Sequence, residues 1–128
     1  MIIGEYRLLS RRIFLLDKEV ITIKRKQKIL IADDEDYTRE GLIDAVDWDK
    51  FGIDEIMQAV NGAEAARIAQ WFQPDIVISD IRMPQMDGIE LAERLLRINP
   101  DRRVIFISGY MEIEYLKSAI QLAAVDYI

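Results

Sequence analysis

Three apolar triads, Ile29-Leu30-Ile31, Ile76-Val77-Ile78 and Val104-Ile105-Phe106, contain no alternating polar position. A strand with one wet face alternates, whereas an unbroken apolar run is buried on both faces. Such strands belong to a parallel sheet covered on two sides by helices. Each triad leads into a polar run: Ala32-Asp33-Asp34-Glu35, Ser79-Asp80-Ile81-Arg82-Met83-Pro84-Gln85-Met86-Asp87-Gly88, and Ile107-Ser108-Gly109. Open α/β sheets hold their sites at the C-terminal ends of strands. Asp33, Asp34 and Asp80 are therefore expected to meet at one rim. Clustered carboxylates repel unless a cation sits among them, and hard oxygen ligands suit Mg²⁺.

The remaining segments agree with that sheet. A first strand over 28–32 is followed by a helix near 37–46, with Leu42, Ile43 and Val46 as its apolar side. Residues 53–60 read as a second strand, less apolar and suited to an edge. Asn61-Gly62 opens a helix over 63–72. The third strand covers 76–79, and Asp87-Gly88 opens a helix over 89–98. A fourth strand over 103–107, a helix near 112–122 and the start of a fifth strand at 125–128 complete the pattern. Alternation at this spacing gives right-handed βαβ units. The expected fold is α/β, a flavodoxin-like doubly wound five-stranded parallel sheet of order 2-1-3-4-5, lacking a fifth helix. That order sets the ends of the first and third strands side by side.

Composition narrows the chemistry. The 128 residues suffice for one domain, and no apolar run nears the roughly 20 residues of a membrane helix. No cysteine is present, which excludes disulfides and thiolate sites; no histidine is present, which disfavours the usual zinc centres and Ser-His hydrolysis. Residues 1–28 carry eight Lys/Arg against three Asp/Glu, a net of +5, and residues 29–128 carry nine against twenty, a net of −11. The body is thus a poor nucleic-acid binder and a good host for a cation or a basic partner surface. Most of these acids serve only solubility.

Residues 1–27 stand before the α/β pattern. Ile2, Tyr6, Leu9, Ile13, Leu16 and Val20 fit one helical face. The competing reading is a hairpin of 13–16 and 20–23 turning at Asp17-Lys18, favoured locally by the β-branched Val20-Ile21-Thr22-Ile23. A helix before Asp17 is the expectation. It would pack where a fifth helix lies, within the chain or against a second copy, giving a homodimer. A purine-rich coding stretch for Lys18-Glu19-Val20 would place the natural start near Ile23 or Lys24.

The motifs around the acids resemble the receiver domain of bacterial two-component response regulators. The resemblance runs from Lys28 to Ile128 and includes Met86-Asp87-Gly88, Ile107-Ser108-Gly109-Tyr110 and Ala124-Val125-Asp126-Tyr127. The wording around Asp80 and Ser108 looks like the subfamily joined to AraC-type helix-turn-helix output domains. The resemblance implies that Asp80 accepts a phosphoryl group from a sensor histidine kinase. It implies Mg²⁺ held by Asp33, Asp34, Asp80 and the backbone carbonyl of Arg82. Ser108 would bond a phosphoryl oxygen, and Tyr127 would swing in behind it. Arg82 and Tyr110 would limit water access. The setting would be cytoplasmic, with DNA reached only through a separate output domain.

Plainer roles stand beside these. Asp33 or Asp34 alone reads as a helix cap. Asp80 alone reads as a turn residue, Ser108 as a strand-end serine, Tyr127 as packing and Arg82 as a solvated loop residue. The register of three acids favours the site. The family's lysine at the end of strand five would fall two residues past Ile128, which raises the alternative of a phosphorylation-independent interaction module. An aspartyl phosphatase would want a second acid two residues after its nucleophile, where Arg82 stands.

Overall fold

The fold is described from a computed structural model over residues 11–16, 19–24, 26–107, 117 and 120. Its elements are β1 (Arg11–Leu16), β2 (Glu19–Lys24), β3 (Gln27–Ala32), α1 (Asp36–Ala45), a 3-10 turn (Trp48–Phe51), β4 (Ile53–Ala59), α2 (Gly62–Phe72), β5 (Ile76–Asp80), α3 (Gly88–Ile98) and β6 (Arg103–Ile107). The parallel sheet has the order β4-β3-β5-β6. Counted from β3, this is the expected 2-1-3-4. Residues 125–128, expected as a fifth strand, lie outside the described residues, as does most of the segment expected as the last helix. Lys117 and Ile120 of that segment are helical.

Strand alternation divides the core in two. Ile29, Ile31, Ile76, Ile78 and Ile107 point to one face, with Leu42 from α1, Val46 just after that helix, Trp48 and Ile120. Leu30, Ala32 and Val77 point to the other, where α2 supplies Ala65 and Ala69 and α3 supplies Leu91 and Leu95. Each fully buried Ile or Leu contributes about 1.5–3 kcal/mol. The triads at 29–31 and 76–78 are buried throughout because helices cover both faces, whereas the triad at 104–106 falls short of the expected burial, with Val104 and Ile105 half-buried and Phe106 exposed. The edge strand β4 departs from that rule, with Asp54, Glu55 and Gln58 exposed.

Caps fix the helix starts. The Asn61 side chain accepts from the Glu64 amide at 2.8 Å, and the Asp87 side chain accepts from the Glu90 amide at 2.9 Å. The connection after α1 is more ordered than its sequence suggests. Trp48 is buried and its indole N–H donates to the Ile43 carbonyl at 2.9 Å. Gly52 ends the 3-10 turn at φ 77°, a conformation that favours glycine.

The segment before β3 corrects the expected helix. Strands β1 and β2 pair antiparallel, from Arg11 opposite Lys24 to Leu16 opposite Glu19. Two residues separate them, the commonest hairpin spacing. The helical spacing of apolar residues competes here with the β-branched run in β2, whose side chains are stiff in a helix and favour a strand. A helix running through residues 11–16 is excluded, and with it the helical form of the packing expected for this segment.

Candidate functional site

The site forms where β3 and β5 end. Ala32 pairs with Ser79 as the last residues of that ladder, so Asp33 and Asp80 follow from adjacent strands. One carboxylate oxygen from each of Asp33, Asp34 and Asp80 lies within 4.8 Å of the others. Asp33 is buried, Asp80 is half-buried and Asp34 is exposed. The three residues singled out in the sequence therefore come together. The helix-cap alternative does not hold. Glu35 is the N-cap of α1, and the Asp33 carboxylate instead accepts the Glu35 amide at 2.9 Å.

The electrostatics are those of a crowded anion site. Burial raises the Asp33 carboxyl above its ordinary range, and the charges of Asp80, Asp34 and Glu35 push the same way. The Glu35 amide opposes them. Two ligands of one octahedral Mg²⁺ stand about 3 Å apart when adjacent and about 4 Å when opposite. The spread of the carboxylate oxygens fits that ion after small side-chain adjustments. The donor set is all oxygen and holds few carboxylates, as Mg²⁺ prefers.

The β5–α3 loop is built around Asp80. Ser79 Oγ donates to the Asp80 carbonyl at 2.8 Å, and the Arg82 amide donates to Asp80 Oδ1 at 3.4 Å. The latter bond is long, so Asp80 keeps lone pairs for an incoming group. Met83 and Met86 are buried and anchor the loop on either side of Gln85, whose φ is 72°. Gly88 then closes on the strand. Its amide donates to the Ile81 carbonyl at 2.9 Å, and a Cβ there would stand 2.2 Å from the Asp80 carbonyl oxygen. Only glycine permits that approach.

Ser108, Tyr110 and Tyr127 lie outside the described residues. Ser108 directly follows Ile107, the residue paired with Asp80 across β5 and β6. The Arg82 side chain is exposed.

A second group at this rim was not singled out in the sequence. Arg39 of α1 is buried and donates through Nε to Gln58 Oε1 at 2.9 Å, through Nη1 to the Asp33 carbonyl, and through Nη2 to Asp36. Its only sequence signal is an arginine on a short helix that must lie against the sheet.

With that geometry in hand, comparison with known proteins is decisive. The model of the response regulator receiver domain matches residues 29–128. The chain belongs to this family. This receiver domain is 39% identical over 101 residues to the transcriptional regulatory protein HptR of Staphylococcus aureus, covering 79% of this chain and 39% of HptR. It thus spans about two fifths of that relative. Its fold is similar to a two-component transcriptional regulator AraC from Clostridium phytofermentans, with TM-score 0.74 and 36% identity over 77% of this chain and 92% of the other. It is also similar to the CheX-CheY-BeF3-Mg complex from Borrelia burgdorferi, with TM-score 0.57 and 30% identity over 73% and 70% of the chains. Among the described residues of the receiver domain, no helix is long and apolar enough to cross a membrane.

Proposed function

We propose that this receiver domain takes a phosphoryl group on Asp80 from the phosphohistidine of a sensor histidine kinase, with Mg²⁺ held by Asp33, Asp34, Asp80 and the carbonyl of Arg82. The observation that carries this reading is the meeting of three carboxylates within 4.8 Å at adjacent strand ends. A cluster so placed is costly without a cation and useful with one. A carboxylate oxygen of Asp80 attacks phosphorus in line. The N–P bond of the donor breaks, its electron pair stays on the imidazole, and an acyl phosphate remains on Asp80. Mg²⁺, when bound, neutralises the phosphoryl oxygens. The protein's own part is to aim Asp80 outward, fix its backbone through Ser79 and Gly88, and hold Asp33 and Asp34 beside it.

The similar CheY complex holds BeF3, whose shape and charge mimic a phosphoryl group, together with Mg²⁺, and this supports the same pairing here. Ser108 and Tyr127 complete the reading as the hydroxyl that meets the phosphoryl group and the ring that moves behind it. The similarity to transcriptional regulators favours a DNA-binding output controlled by this domain.

Acetyl phosphate with Mg²⁺ is expected to add one phosphoryl group to the wild type, read by intact-protein mass. Asp80→Asn is expected to remain unlabelled, and chelation of Mg²⁺ to stop labelling of the wild type. Label surviving in Asp80→Asn, or a wild type that never takes label, overturns the proposal.

A further inference from the structure

The buried guanidinium behind the acid cluster has no part in the proposed phosphoryl transfer, yet it touches the peptide that carries an acid. We propose that Arg39 is a positioning residue for the Mg²⁺ ligands, locking the Asp33-Asp34 turn to the edge strand β4. The inference rests on the proposed Mg²⁺ site.

Three observations carry it. First, the Asp33 residue is held by β4 at both ends of its backbone. Its amide donates to the Ala59 carbonyl at 3.1 Å. Its carbonyl accepts from Arg39 Nη1, and Arg39 Nε donates in turn to Gln58 Oε1 at 2.9 Å, one residue before Ala59. Second, Arg39 is 6% exposed and its bond to the Asp33 carbonyl is buried, so that bond is sheltered from water and favours a single arrangement. Third, the guanidinium bonds the Asp33 carbonyl and not its carboxylate. The charges acting on that carboxylate come from Asp80, Asp34 and Glu35. Arg39 therefore acts through geometry more than through charge.

A planar fork is what this task requires. One face of it must reach a side-chain amide on β4, a carbonyl at the end of β3 and a carboxylate on α1 in fixed directions. Lysine supplies the charge but cannot reproduce three divergent bonds. Groups that orient metal ligands typically change metal affinity 10- to 100-fold when removed.

The test is the Mg²⁺ affinity of folded protein, measured by calorimetry beside thermal melting without Mg²⁺. Wild type and Asp80→Asn establish the site itself: a wild type that binds no Mg²⁺, or an Asp80→Asn that binds it unchanged, defeats the site and not the Arg39 role alone. Given a working site, Arg39→Lys is expected to weaken Mg²⁺ about ten-fold, and Arg39→Met no less. A milder variant, Gln58→Ala, removes one partner of the fork and is expected to weaken Mg²⁺ about three-fold. It carries the test if the Arg39 variants do not fold. Mg²⁺ affinity within two-fold of wild type in the folded variants, whatever the melting temperature, overturns the inference. So does Arg39→Lys restoring the affinity that Arg39→Met loses, since charge alone would then suffice.

Discussion

The two rims of the parallel sheet both contain buried charge, and they treat it in opposite ways. At the N-terminal rim, Asp75 Oδ2 accepts the Lys28 amide at 2.9 Å. Beside it, Arg102 is buried and donates to the Pro74 carbonyl at 2.8 Å, the Leu95 carbonyl at 3.3 Å and Gln73 Oε1 at 3.1 Å. Burial lowers the Arg102 pKa, and the charge of Asp75 opposes that. Every donor nitrogen of this guanidinium meets an acceptor from its own chain. At the C-terminal rim, three carboxylates face one another, and burial, joined by their repulsion, raises the Asp33 carboxyl. Charge that only holds the fold is satisfied internally. Charge at the proposed Mg²⁺ site is left to like-charged neighbours.

The sharpest way to break that contrast is Arg102→Met. It keeps the apolar stem and removes the donors, leaving the Pro74 carbonyl without its partner, while the Leu95 carbonyl keeps the Asn99 amide at 3.0 Å. An unsatisfied buried acceptor costs about 1–3 kcal/mol, so a loss of about 2 kcal/mol is expected in urea unfolding. Mg²⁺ affinity of the folded variant is expected to stay within two-fold. A coupled loss of Mg²⁺ binding would mean that the rims do not act independently.

Gly88→Ala strikes the other rim. The new methyl group would meet the Asp80 carbonyl at 2.2 Å and Ser79 Oγ at 3.0 Å. The end of β5 must shift, at about 2 kcal/mol of stability. Because that shift re-aims Asp80, phosphorylation by acetyl phosphate is expected to slow at least about ten-fold. Full phosphorylation rate in a destabilised Gly88→Ala would show that the loop tolerates movement without cost to the chemistry.

The acid cluster itself predicts a smaller effect with an inverted sign. Relieving one like charge at this separation is worth about 1 kcal/mol in water-like surroundings. Asp33→Asn is therefore expected to stabilise the Mg²⁺-free domain at neutral pH, as read by thermal melting. The pH dependence follows. The folded carboxyl of Asp33 has the higher pKa, so the folded state binds more protons than the unfolded one across the carboxylate range. This group's contribution to unfolding free energy falls as pH rises through that range. The slope is expected to flatten in Asp33→Asn and with saturating Mg²⁺. An unchanged slope in both would place the repulsion elsewhere.

How much of this was legible in the chain depends on how local the signal is. The triads at 29–31 and 76–78 report burial on two faces directly, and the sheet follows from them; the triad at 104–106 reads the same in sequence yet leaves Val104 and Ile105 half-buried and Phe106 exposed. The acids are legible because they continue those triads, and Ala32 and Ser79 end in register. The hairpin was only half legible, because helical spacing and β-branching pointed different ways over the same residues. Arg39 and Arg102 were not legible at all. Charged residues are ordinarily solvated, and the partners that justify burying these two come from distant segments: Gln58 on β4 for Arg39, Pro74 and Leu95 for Arg102. Trp48 was missed for a related reason, since its partner is the open carbonyl at the end of α1.

The smallest expected effect concerns Arg82, where backbone and side chain part company. Its amide donates to Asp80 Oδ1, while its side chain is exposed. Hydrolysis of a phosphoryl group on Asp80 needs water in line with the Asp80 oxygen. A long guanidinium two residues away can occupy that approach and bond the phosphoryl oxygens. Arg82→Ala removes only the side chain and keeps the amide bond to Asp80, so it isolates this effect from the shape of the loop. The phosphoryl lifetime, followed after removal of acetyl phosphate, is expected to shorten about three-fold, equivalent to about 0.7 kcal/mol of barrier. Arg82→Lys, which keeps length and charge, is expected to fall between the two. A lifetime unchanged in both variants would mean that residue 82 serves the acid rim through its main chain alone. The contrast between the rims would then rest on the three carboxylates and the groups that aim them.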